Sequence, residues 1–257
     1  MRPLSSPGSK VRHREKPYVL VIGHAGAAGE APANTLAAVR ACLDAGAEGM
    51  EIDVQLCADG VPVLMHDETV DRTTNLTGRV RDLPLAALQS ADAGQGEPVP
   101  TLEQVLDLVD GRLTVMCELK STPGDPEQDA RSVEAAVAVI RRRGAESWTA
   151  IHSFSPEMVA RARDIEPRIS AAIISPPVAG DGVERLLGGL LKRNGQAISF
   201  EHHAVTRDLV ARARRRQVTV WCWTADSPAD WERVVDAGVD GIITNVPHQL
   251  RAWLERD

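Results

Sequence analysis

From Tyr18 onward, short apolar runs alternate with longer segments whose apolar residues recur at helical spacing. The runs at 18–22, 113–120, 148–154, 169–175, 197–201, 218–224 and 241–244 read as buried strands. The intervening segments 32–45, 101–109, 129–143, 155–164, 182–193, 206–216 and 227–237 read as helices, with a short terminal one over 249–254. Pro32 near a start and Gly46 just past an end are the expected boundary residues. Residues 68–100 interrupt the rhythm. They are polar and rich in Thr, Asp and Gly, which predicts an insertion with little regular structure.

One stretch breaks the apolar pattern. Residues 51–67 hold two β-prone runs separated by Asp59-Gly60, a strong hairpin signal. A two-residue turn there sets Asp53 opposite His66. It sorts Val54, Leu56, Val63 and Met65 onto one face, and Glu51, Asp53, Gln55, Leu64 and His66 onto the other. Acidic residues inside a strand of Met, Ile, Val and Leu contradict local β preference, as expected where function overrides folding.

If the strand after the turn only returns the hairpin, eight strands remain, mostly followed by helices. That is the arithmetic of a (β/α)8 barrel, with its active site at the C-terminal ends of the strands. A doubly wound sheet alternates similarly. The barrel is favoured because His24, Glu51, Asp53, Glu118, Lys120, Ser153 and Thr224 all fall toward the C-terminal ends of different strands. The predicted organisation is a disordered basic tail over 1–17 and a single barrel domain over 18–257, with the insertion at about 68–100.

Composition narrows the setting. A hydrophobic content of 43% and a charged content of 25% are those of a soluble globular protein, and the net charge of −7 argues against nucleic-acid binding. No apolar run reaches the length of a membrane span. The first 17 residues are basic and lack the apolar core of a secretory signal, and the four cysteines are scattered without CxxC spacing. A cytoplasmic protein with reduced thiols is the expectation.

Glu51, Asp53 and Glu118 form a set of hard oxygen ligands suited to one Mg²⁺ or Ca²⁺ and ill suited to zinc. His24 and His66 supply the side chain type that ordinarily exchanges protons near neutrality, so they are candidates for an acid–base pair. Lys120, two residues after Glu118, places a positive charge beside an anionic oxygen. Each residue alone is unspecific. Their convergence on one mouth is the specific signal.

The chain resembles the glycerophosphodiester phosphodiesterase family of barrels. The resemblance is carried by Gly23-His24-Ala25-Gly26, Pro32-Ala33-Asn34-Thr35, Gly46 through Val54, and Asp59-Gly60 through His66-Asp67. It continues through Asp71-Arg72-Thr73-Thr74, Pro100-Thr101-Leu102, Glu118-Leu119-Lys120, Ser153-Phe154, Trp223-Thr224 and Gly238 through Asn245. It implies metal-dependent hydrolysis of glycerophosphodiesters to an alcohol and glycerol phosphate. By motif, Glu51, Asp53 and Glu118 would hold the metal and His24 and His66 would exchange protons. Lys120 would meet phosphate, and Phe154 and Trp223 would line the substrate side.

Two positions depart from the family pattern. Ala25 stands where the family has Arg, and Ala33 where it has Glu. Loss of one positive and one negative group together suggests a coordinated change. Besides an active phosphodiesterase, this leaves open an impaired relative that binds a phosphorylated ligand, or a related phospholipid phosphodiesterase.

Overall fold

The structure, a computed structural model, describes residues 18–178 and 180–256; the tail expected over 1–17 lies outside the described residues. Its elements follow the predicted alternation. They are β1 (Leu20–Gly23), α1 (Leu36–Asp44), β2 (Gly49–Leu56), β3 (Pro62–Leu64), α2 (Leu85–Ser90) and α3 (Leu102–Val109). Then come β4 (Thr114–Leu119), α4 (Pro126–Arg142), β5 (Thr149–Ser153), α5 (Pro156–Ile165), β6 (Ser170–Ser175) and α6 (Asp181–Lys192). The chain ends with β7 (Ala197–Glu201), α7 (Arg207–Arg215), β8 (Thr219–Trp223), α8 (Pro228–Ala237), β9 (Gly241–Thr244) and α9 (Pro247–Leu254).

All strands except β3 are parallel and run β1-β2-β4-β5-β6-β7-β8-β9, with β9 returning to β1. This is the closed (β/α)8 barrel. Helix starts are capped by side chains of the expected types. Thr101 and Gln104 form a reciprocal capping box on α3, and Asp125, Ser155 and Ser227 cap helices that open with Pro. One helix begins later than its composition suggests. Thr35, not Pro32, sits at the start of α1, because its hydroxyl caps Ala38 N–H while Asn34 adopts a left-handed φ of 59°.

The core lies in two shells. Between strands and helices, α3 buries Leu102, Val105, Leu106 and Val109, the i, i+3, i+4, i+7 face of an amphipathic helix. Full burial of each such side chain stabilises the fold by about 1.5–3 kcal/mol. Inside the barrel, Ile22, Met116, Ala150, Ile243 and Trp221 form a floor. Gly241 makes room for that indole, since a Cβ there would lie 2.8 Å from Trp221 Cδ1 and 3.0 Å from Ile22 Cδ1.

The hairpin differs from expectation by one residue. Val54 pairs with Leu64, Gln55 with Val63 and Leu56 with Pro62, so Asp53 faces Met65 and not His66. The loop has three residues, Ala58-Asp59-Gly60, closed by Gly60 N–H to Cys57 O (2.9 Å) with Gly60 at φ 72°. Its tip is held by the insertion. Ala58 N–H donates to Leu83 O (3.0 Å), and Asp59 Oδ2 accepts from Leu85 N–H (2.5 Å). With Ala58 N–H taken by another segment, the tighter turn cannot form. Leu64 therefore joins Val54 in the main core, while Val63 and Met65 pack under the insertion.

The insertion is also better ordered than its composition suggests. It carries α2 and a turn of tighter helix, and it encloses an apolar cluster of Cys57, Val63, Met65, Val70, Val80, Leu88, Ala91 and Val99. Those apolar residues are too widely spaced among polar ones to register as periodic.

Candidate active site

β2 brings Glu51 and Asp53 to the mouth, before its last residues go on to pair with β3, and β4 brings Glu118 beside Asp53 as its cross-strand partner. All three carboxylates are buried, and each offers an oxygen within 4.8 Å of the other two. Lys120, just past β4, places Nζ 2.7 Å from Asp53 Oδ1 and in hydrogen-bond contact with Glu118 Oε1.

Three acids and one lysine do not share charge evenly. Burial, followed by the charges of Asp53 and Glu118, pushes Glu51 well above the usual carboxylate range. Burial likewise raises Glu118, against the pull of Lys120. Burial acts on Asp53 too, but Lys120 and an Asn34 hydrogen bond outweigh it and hold Asp53 low. Burial opposes charge on Lys120, and its two carboxylate partners more than offset this, raising its pKa. Glu51 Oε2 accepts from Ala25 N–H (3.1 Å), but its buried Oε1 has no partner. An orphan carboxylate oxygen among three converging acids is the arrangement a hard divalent cation fits.

The histidines are oriented from behind. Asp226 Oδ2 accepts from Asn245 Nδ2 (2.7 Å), which fixes that amide so that its Oδ1 meets His24 Nδ1 at 2.7 Å. His24 therefore carries its proton on Nδ1 when neutral, leaving the Nε2 lone pair toward the cavity, 3.9 Å from Glu51 Oε2. His66 follows β3 and is held by its neighbours. Gln55 Nε2 reaches the carbonyls of Met65 (2.9 Å), His66 (3.2 Å) and Asp67 (2.5 Å), clamping that segment to β2. Asp67 Oδ1 meets His66 Nδ1 at 2.7 Å. Hydrogen bonds from Arg72 and His66 lower Asp67 to about 2.

These groups surround one cleft, lined by His24, Glu51, His66, Glu118, Lys120 and His152 with Phe154, Ile174, Trp223 and Ile243. Phe154 packs edge-on against Trp223, ring centroids 6.0 Å apart, making an apolar wall beside the charged end. Lys120 is the only lysine or arginine among the described lining residues.

Seven of the eight expected site residues (all but Asp53) thus line the cleft, and Asp53 meets it through Lys120. Ser153 does not belong to it: its buried hydroxyl donates to Leu119 O (2.8 Å) and serves the strand. Sequence reasoning missed the roles of Asn34, Gln55, Asn245 and Asp226, and missed His152 altogether. A histidine between Ile151 and Ser153, on a barrel strand level with Glu118, was the available signal for the last. A second group of close ligand atoms, Glu201, His202 and His203 at the end of β7, is already committed. Glu201 Oε1 meets His203 Nδ1 at 2.6 Å, and Arg233 Nη2 meets His202 Nδ1 at 2.9 Å.

Comparison with known proteins gives a consistent result. Residues 24–249 match the sequence model of the glycerophosphoryl diester phosphodiesterase family. A glycerophosphodiester phosphodiesterase of Caldanaerobacter subterraneus subsp. tengcongensis is 33% identical over 243 residues, which span 90% of this chain and 96% of that one. The crystal structure of a glycerophosphodiester phosphodiesterase from Agrobacterium tumefaciens str. C58 superposes with a TM-score of 0.76 at 28% identity, covering 91% of this chain and 99% of that one. A Silicibacter pomeroyi DSS-3 protein, provisionally named in the same way, gives a TM-score of 0.85 at 31% identity, covering 92% and 93%.

Proposed function

Because this chain belongs to the glycerophosphoryl diester phosphodiesterase family, a group of phosphoric diester hydrolases, we propose that it hydrolyses glycerophosphodiesters to an alcohol and glycerol phosphate with one divalent cation. The convergence of His24, His66 and three carboxylates on one cleft carries this reading.

Glu51, Asp53 and Glu118 are the proposed cation ligands. Bound there, Mg²⁺ or Ca²⁺ would draw charge off the phosphoryl oxygens. Lys120 supplies the remaining positive charge, poised by the two carboxylates it touches. His24 Nε2, held with its lone pair toward the cleft by the Asp226–Asn245 relay, takes the proton from the attacking oxygen, a hydroxyl of the substrate's own glycerol. His66 gives a proton to the departing alkoxide, and the ionised Asp67 pairs the cationic form of its ring. Water then opens the resulting cyclic phosphate with the two histidines in exchanged roles. Phe154 and Trp223 form the proposed wall for the leaving alcohol.

Two observations bear on the setting. All four cysteines are buried and unpaired, in keeping with a reducing cytoplasm. No helix among the described residues is long and apolar enough to cross a membrane. The reading is tested by incubating the protein with glycerophosphocholine, glycerophosphoethanolamine and bis-(p-nitrophenyl) phosphate, with each metal and with a chelator, and identifying the products. Glycerol phosphate released from the two natural diesters supports it. Cation binding, seen as a rise in melting temperature, without turnover of any diester favours the ligand-binding alternative that Ala25 and Ala33 raise.

A further inference from the structure

The buried group that the mechanism leaves unused is His152. It lies on β5 beside Glu118 and is 1% exposed, and its ring sits edge-on to Trp221 at a centroid distance of 6.2 Å. Neither Nδ1 nor Nε2 has a hydrogen-bond partner, although both are buried and the residue lines the cleft. Buried polar side-chain atoms are nearly always paired. Both orphan nitrogens belong to a residue in the cleft wall, where a bound group can supply a partner.

A neutral imidazole presents one donor and one acceptor. A phosphate oxygen of a diester only accepts, and a quaternary ammonium does neither. An alcohol hydroxyl does both, so it can meet whichever ring nitrogen faces it. The charged end of the cleft is already served by Lys120 and the carboxylates. We propose that His152 is a specificity-determining residue that reads a free hydroxyl of the substrate's glycerol moiety. This rests on the glycerophosphodiester reading, and it adds the residue that tells glycerol from a plain alkyl group.

The test compares binding of sn-glycerol 3-phosphate and n-propyl phosphate, which lacks the hydroxyls, by calorimetry at saturating Mg²⁺. It uses the wild type, His152→Phe, His152→Leu and His152→Gln. The wild type should prefer glycerol phosphate by about ten- to a hundredfold, the span of a buried hydrogen bond made or left open. The two apolar variants should lose that preference through weaker glycerol phosphate binding alone, and His152→Gln, which keeps a donor and an acceptor, should retain most of it. The preference is a ratio within each protein, so a reduced folded fraction cancels. A readout without variants is the ring ¹⁵N shift of His152 in the wild type, which should move with glycerol phosphate and stay still with n-propyl phosphate.

A preference that survives in both apolar variants overturns the proposal, because ordered water then suffices for the ring. Parallel weakening of both phosphates also overturns it, because the ring then only supports the fold. The outcome for catalysis is separable. A protein that turns over no glycerophosphodiester yet keeps a His152-dependent preference sinks the enzyme reading and supports this one. Turnover with an unaltered preference in the apolar variants sinks this one alone.

Discussion

Asn34 holds Asp53 at two points: its Nδ2 donates to Asp53 Oδ2 at 2.7 Å, and its Oδ1 accepts from the Asp53 backbone N–H at 3.0 Å. Both residues are buried, and the left-handed backbone at Asn34 lets its amide turn back onto β2. Asn34→Ala leaves one carboxylate oxygen and one N–H without partners. Hydrogen bonds to charged groups contribute about 1.5–3 kcal/mol, so a loss of that size is expected in urea unfolding of the metal-free protein. Cation affinity should fall by about 10–100-fold, as for other residues that orient a ligand. Unchanged stability and affinity would show that Lys120 alone holds the carboxylate.

Gln55 is expected to govern turnover without touching substrate. Its amide ties down the carbonyls of residues 65–67 and so sets where His66 sits. Gln55→Ala should lower kcat by about 100-fold, the scale of a misplacement near 1 Å, while cation binding is retained. Steady-state kinetics beside a cation titration is the measurement. Equal loss in both would mean that the whole mouth has shifted.

The His66–Asp67–Arg72 chain predicts a pH signature. Asp67 is lowered from 3.8 to about 2, so its folded form binds the proton less readily than the unfolded chain. The stabilisation is therefore present above the unfolded value and is lost as pH falls from 3.8 toward about 2. Asp67→Asn should melt lower than the wild type at pH 7, and the gap should close across that window. A gap that stays constant down to pH 2 would contradict the assignment.

The barrel was legible because both of its signals are local: apolar runs at strand length, and polar residues at the ends of those runs. The carboxylate trio was legible for the same reason, since Glu51, Asp53 and Glu118 interrupt runs that would otherwise be wholly apolar. What failed depended on distant chain. The Asp59-Gly60 turn gained a residue because Leu83 and Leu85, more than twenty positions on, engage its tip. The relay from Asp226 through Asn245 to His24 joins residues over two hundred positions apart, and no spacing rule reveals it. His66 reached the cleft although its predicted partner was wrong, because the segment after β3 is clamped by Gln55 and not by strand pairing.

Ala25 and Ala33 lie on contacting loops: Ala25 is buried, its N–H donates to Glu51, and its carbonyl accepts from Asn34 N–H at 3.0 Å. An Arg introduced at 25 would enter beside three acids, and a Glu at 33 would add negative charge next to that loop. Ala25→Arg alone is expected to help modestly or to harm, and Ala33→Glu alone to harm. The double change should exceed their sum by about 0.5–3 kcal/mol in kcat/KM, the coupling of residues in contact. Additivity across the four proteins would mean the two alanines are unrelated.

The central claim is that the three carboxylates hold a cation without which the two histidines cleave no diester. Its most direct test is a titration of the chelator-treated protein with Mg²⁺ or Ca²⁺, following glycerol phosphate release from glycerophosphocholine in the wild type and in Glu51→Gln. The account predicts no release before metal is added and a saturable recovery with at least one ion. In Glu51→Gln the recovery should need far more metal or fail. Release that is equally fast in chelator, or recovery in Glu51→Gln at the wild-type metal concentration, would contradict it.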